Sequence, residues 1–117
     1  MSADPADEPR HASVELSDVV HPRARLGILT VVARTGTVTF GYLKSVLELT
    51  DGNLGRHLEV LAVERLVEVT KGYEGRRPRT WVGITPDGYA ALEAEMAALR
   101  RLVEQFETSN PPPDRAG

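Results

Sequence analysis

The chain has 117 residues, 41% apolar and 26% charged, with fourteen Lys and Arg against seventeen Asp and Glu. That is one domain's length with enough apolar residues for a single core, and no apolar run approaches the roughly 18 residues that span a membrane. Cys is absent, which excludes disulfides, thiolate metal sites and a Cys nucleophile; with the polar, acidic start MSADPADEPR it points to a cytoplasmic protein rather than a secreted scaffold.

Residues 1–20 read as a mostly disordered acidic tail, because Asp, Pro, Ala and Glu dominate from Met1 to about Ser13 and leave little to bury. Pro22 opens the first helix, with Leu26, Leu29 and Ala33 on one stripe, Ile28 and Val32 beside it, and Gly36 as its stop. Thr39 caps a short second helix from Phe40 to about Glu48, whose buried stripe is Phe40, Leu43 and Leu47. Leu49 fills the turn, and Thr50 caps a third helix from Asp51 to about Arg65, with Leu54, Leu58 and Leu61 on one face. The period then changes to two. Residues 66–73 and 79–85 read as an antiparallel hairpin joined by a long basic loop, Gly72 to Pro78. Thr85-Pro86-Asp87 starts a last helix that runs to about Glu107. Residues 108–117 are a Pro-rich tail, ended as a helix by the three prolines of NPPPDRAG. One domain, residues 21–107, remains between the tails. Its class is α+β, mainly α.

Charge is not spread evenly. Residues 1–20 carry one Arg against five acids, residues 21–85 ten basic residues against six acids, and residues 86–117 three Arg against six acids. A basic centre between acidic flanks can offer a local cationic face to a polyanion.

Two short helices joined by a tight turn and followed by a basic hairpin form the winged helix-turn-helix pattern: a three-helix core, a two-stranded wing and here a long C-terminal helix. The third helix would enter the DNA major groove. At about 100° per residue, the direction set by its leucines leaves Gly52 and Arg56 outward, flanked by Asn53, with His57 on the shoulder. Arg pairs bidentately with guanine and Asn with adenine. Gly52 and Gly55 admit a close phosphate approach, and Thr50 stands at a helix N-terminus that favours an anion. For His57, a hydrogen bond to a backbone carbonyl is as good a reading as a base contact. Lys71, Arg76, Arg77 and Arg79 gather on the wing, where they can straddle phosphates or enter a minor groove.

The segments LTDGNLGRHLEVL and KGYEGRRPRTWVGITPDG, within a stretch from about His21 to Val103, closely resemble small bacterial winged-helix transcriptional regulators related to the MarR and ArsR repressors. The resemblance implies a cytoplasmic, homodimeric, double-stranded-DNA-binding regulator, with repression as the expected action. It places Asn53, Arg56 and His57 on the reading surface and Arg76, Arg77 and Arg79 on the wing. Gly55 departs from the pattern, since relatives usually carry a small hydroxyl residue there.

In the last helix Tyr89, Leu92, Met96, Leu99, Val103 and Phe106 follow an a/d spacing. This stripe either packs on its own domain or joins two subunits; a helix of some 20 residues outruns so small a core, which favours a homodimer. An enzyme is not expected. His11, His21 and His57 have no Ser or carboxylate partner at motif spacing, and neither a phosphate-binding glycine loop nor a metal-ligand cluster is present. No cofactor and no metal are expected. The competing reading is a winged helix that binds protein and not DNA.

Overall fold

The computed structural model describes residues 11–109. After a short 3-10 turn at Ala12–Glu15 come helix α1 (Arg23–Thr35), strand β1 (Val38–Thr39), α2 (Phe40–Leu47), α3 (Asp51–Val63), β2 (Val67–Glu74), β3 (Arg77–Ile84) and α4 (Pro86–Thr108). Capping chemistry sets the boundaries. Gly36 ends α1 at φ 90, Thr39 Oγ1 accepts the Tyr42 N–H at 3.1 Å, and Thr50 Oγ1 accepts the Asn53 N–H at 3.1 Å. Each hydroxyl takes one of the donors that a helix start leaves unpaired. Between α2 and α3 the chain reverses at Glu48, which adopts a left-handed φ of 53, and the Lys44 ammonium reaches Asp51 across the turn at 2.9 Å.

The core lies where the apolar stripes converge: Ile28, Leu29 and Val32 of α1, Leu43 of α2, Leu54, Leu58 and Leu61 of α3, and Val38, Val67 and Val82 of the strands. On α1 the residues Ile28 and Val32 are fully buried, whereas Leu26 and Ala33 pack at the core's edge. The start of α4 is stapled to the entry of β2. Thr85 Oγ1 donates to the Arg65 carbonyl at 2.7 Å and accepts the Gly88 N–H at 2.9 Å. A Cβ at Gly88 would lie 2.0 Å from the Leu66 carbonyl oxygen, so only glycine fits there.

The hairpin differs from the expected long loop. β2 and β3 pair from Val67↔Ile84 out to Glu74↔Arg77, leaving Gly75 and Arg76 as a two-residue turn. Gly75 has φ 64 and Arg76 has no positive φ, the pattern of a type II′ turn with glycine first. The residues between Gly72 and Pro78 therefore extend the ribbon. The sheet also has a third strand, in the order β1-β3-β2, because Val38 and Thr39 pair with Val82 and Trp81. Two residues carry no legible alternation, and Thr39 serves both as this strand's second residue and as the cap of α2.

Residues 11–20 correct the expected N-terminal tail. They pack along α4 as a strap, with Ala12 and Val20 buried. The Glu95 carboxylate accepts the Ser17 N–H at 2.8 Å and lies 2.9 Å from His21 Nδ1, Gln105 Oε1 accepts the Ala12 N–H at 3.2 Å, and Arg101 pairs with Glu15. A few small apolar residues with satisfied backbone donors suffice to hold the segment against a helix. The rest of the expected tails, residues 1–10 and 110–117, lies outside the described residues. Among the described residues no helix is long and apolar enough to cross a membrane.

Candidate nucleic-acid interface

α3 turns Leu54, Leu58 and Leu61 into the core and leaves Asp51, Gly52, Asn53 and Arg56 exposed on its N-terminal half. Thr50 is exposed at the cap, Gly55 is half-buried, and a Cβ at either Gly52 or Gly55 would meet nothing within 4 Å. The fold therefore has no need of glycine at these two positions. Arg56 Nη2 donates to Asn53 Oδ1 at 2.8 Å, which links the two side chains across one helical turn. His57 sits on the shoulder, half-buried. Burial, then the nearby charges of Arg25 and Arg56, holds its imidazole below the ordinary value, because each disfavours the protonated ring. Its Nδ1 is buried without a hydrogen-bond partner, so the carbonyl contact expected as an alternative is not made from that atom.

The ribbon of β2 and β3 stands beside this face. Side chains alternate across it, and the register puts Val67, Val69, Lys71 and Tyr73 on one face with Pro78, Thr80, Val82 and Ile84. That face borders α3: Val69, Lys71 and Thr80 line a groove of about 460 Å³ with Phe40, Gly55, Leu58, Glu59 and Ala62. The other face carries Gly72, Glu74, Arg77, Arg79 and Trp81. Arg79 Nη2 is 3.4 Å from Glu74 Oε1, so part of its charge is already matched. The four basic residues are thus divided. Lys71 faces the helix, Arg76 sits in the turn, and Arg77 and Arg79 lie on the far side. They are neighbours in the chain, but the two-residue turn extends the strands and their alternation puts them on different faces.

A three-helix core whose third helix turns its polar N-terminal half outward beside a two-stranded ribbon matches a known family model, the winged helix DNA-binding domain, over residues 24–103. The chain belongs to this winged-helix DNA-binding family. An uncharacterised protein of Methanocaldococcus jannaschii is 34% identical over 83 residues, covering 71% of this chain and 90% of the relative. A transcriptional regulator homologue from Pyrococcus horikoshii superposes with a TM-score of 0.75 at 29% identity, covering 81% of this chain and 94% of that one. The Mycobacterium tuberculosis transcriptional regulator MosR, solved in complex with DNA, gives a TM-score of 0.64 at 22% identity over 87% of this chain and 74% of its own. MarR-family regulators are among the solved structures with this fold. The expected kinship with small winged-helix regulators therefore holds and extends to archaeal proteins.

In this winged helix the a/d stripe of α4 changes character along its length. Leu92 is buried and Met96 and Leu99 are half-buried, while Tyr89, Val103 and Phe106 are exposed, the last at 80%. Met96 packs against the domain's own core. The stripe thus packs on the domain's own core at its middle and leaves apolar surface exposed at its ends. Two further features escaped the sequence. His21 does have a carboxylate partner, Glu95, but 74 residues away and outside any spacing motif. Tyr73 is 73% exposed near the wing tip, and the register puts it on the α3 side of the ribbon.

Proposed function

We propose that the chain is a sequence-specific double-stranded-DNA-binding transcriptional regulator, without enzymatic activity, that represses from a near-palindromic operator as a cytoplasmic homodimer. The observation that carries this reading is the outward half of α3. Asn53 and Arg56 are exposed and linked to each other, each directly after a glycine that the fold does not require. Such a face suits base edges and phosphates together: the planar donors read, and the missing Cβ atoms let the backbone approach. The family match and the DNA complex of the similarly folded MosR support the same conclusion.

Lys71 and Arg76 reach phosphates on the near side of the wing in this reading, with Arg77 and Arg79 behind them. The homodimer rests on the α4 stripe, where Tyr89, Val103 and Phe106 leave more apolar surface uncovered than a monomer of this size needs. The deciding experiment is selection of bound sequences from a random duplex library, followed by gel shift. A near-palindromic consensus supports the account; no enrichment, together with no duplex binding at low salt, would make the winged helix a protein-interaction module.

A further inference from the structure

We propose that the groove between α3 and the ribbon binds an apolar α-amino acid as its zwitterion, and that the bound ligand weakens the hold on DNA. The site stands apart from the DNA-binding reading above; only its effect on duplex affinity rests on that reading.

The groove is a gap that the fold leaves unfilled. Its volume is about 460 Å³, which is ample for a small molecule. Leu58 is buried at its floor, and Phe40, Ala62 and Val69 border it. Val69 stays 39% exposed although it lies on the face turned toward α3. Gly55 lines the same groove, where a Cβ would meet nothing within 4 Å. An apolar side chain seated there takes this surface out of water.

The polar groups around the apolar floor are divided by sign. On the ribbon, Lys71 and Thr80 stand directly opposite each other in the register. An ammonium and a hydroxyl are thus side by side, and both can donate to a carboxylate. On the helix, Glu59 offers a carboxylate to an ammonium from the other side of the groove. Glu59 and Lys71 border one groove, yet neither belongs to an ion pair among the described residues. Opposite charges on facing walls, over an apolar floor, complement a molecule with both charges at one end and an apolar group at the other. An α-amino acid with an aliphatic or aromatic side chain is the simplest such molecule. A carboxylate alone would meet the like charge of Glu59, and an amine alone that of Lys71, so each is disfavoured.

Occupancy reaches DNA through two residues. Lys71, engaged by the ligand's carboxylate, has less charge to offer a phosphate. The ligand also fills the space beside Gly55 that a close phosphate approach would use. By linkage, duplex weakens ligand binding by the same factor.

The test begins without DNA. The full chain is titrated calorimetrically with L-phenylalanine and L-leucine, and with 3-phenylpropionate and phenethylamine, which each lack one of the two charges. At least one of the amino acids should bind saturably, and the single-charge analogues on the order of tenfold more weakly than L-phenylalanine. Glu59→Gln, shown by circular dichroism to fold as the parent does, should lose a similar factor for the amino acid. Amide shifts on titration should centre on Gly55, Ala62 and Val69. In a gel shift, saturating amino acid should weaken duplex binding by the parent on the order of tenfold, and by Glu59→Gln less at the same concentration. No saturable binding of either amino acid overturns the proposal. So does equal binding of the single-charge analogues, parent-like binding by Glu59→Gln, amide shifts centred on α1 and α4, or a duplex affinity that the ligand does not move. A chain that binds the amino acid but no duplex at any salt would keep the site and overturn the DNA reading, and the effect on DNA with it.

Discussion

A methyl group added at Gly52 or Gly55 points into open space, yet glycine costs a helix interior about 1 kcal/mol relative to alanine. Gly55→Ala should therefore stabilise the domain by roughly 0.5–1 kcal/mol in urea denaturation while weakening duplex binding in a gel shift. A variant that is more stable and binds as well as the parent would remove close phosphate approach as the reason for the glycine. Arg56 and Arg76 divide reading from holding. Arg56→Ala should cost about 1–3 kcal/mol and relax preference at one position per half-site, whereas Arg76→Ala should weaken all duplexes alike and lower the salt slope. Parallel library selections on the two variants would show whether they differ in specificity. His57 adds a pH dependence to folding. Its folded-state value is depressed, so the unfolded chain takes up the proton first as pH falls. The contribution is fully present above the unfolded value of about 6.5 and is lost as pH falls through the folded value. Stability measured at pH 7.5 and pH 5 should consequently fall less in His57→Gln than in the parent; an equal fall would assign the dependence to other groups.

At the scale of elements, the strap is held by one buried carboxylate. Glu95→Ala leaves the Ser17 N–H and the His21 ring without their acceptor, and should destabilise the domain by about 1–3 kcal/mol and open residues 11–20 to proteolysis. Glu95→Gln keeps one acceptor and should lie between. Limited proteolysis with mass analysis would follow the strap directly. These same elements mark where sequence was and was not informative. The starts of α2, α3 and α4 are legible because Thr39, Thr50 and Thr85 are hydroxyl caps, followed by Asp51 in α3 and by Pro86 and Asp87 in α4. The strap was not, because Ala12, Ser17 and Val20 are weak signals by themselves and their partner, Glu95, lies far away in the chain. The outward face of α3 followed from its leucines. The split of the wing's basic residues did not, because it depends on whether the ribbon turns in two residues or seven, and Gly72 and Pro78 both resembled loop residues. Gly72 is instead needed where Trp81 lies over the strand.

At the scale of the whole molecule, the proposed homodimer would join the outward face of α3 to an apolar stripe on α4. Leu99 lies half-buried in the a/d stripe of α4, between the core-packed Met96 and the exposed Val103. Leu99→Glu should give a folded monomer by sedimentation and circular dichroism, since a second copy would have to bury an unpaired charge at several kcal/mol. It should also lose far more operator affinity than one contact explains, because the second half-site no longer assists the first. A variant that stays dimeric would place the interface elsewhere. In the dimer the two α3 helices should lie about 34–36 Å apart, one turn of DNA. The most direct test of the central claim is the salt dependence of duplex affinity. With on the order of six phosphate contacts, affinity should fall roughly a thousandfold between about 50 and 200 mM salt. Affinity that does not change with salt, or no duplex binding at the lowest salt, would contradict the account.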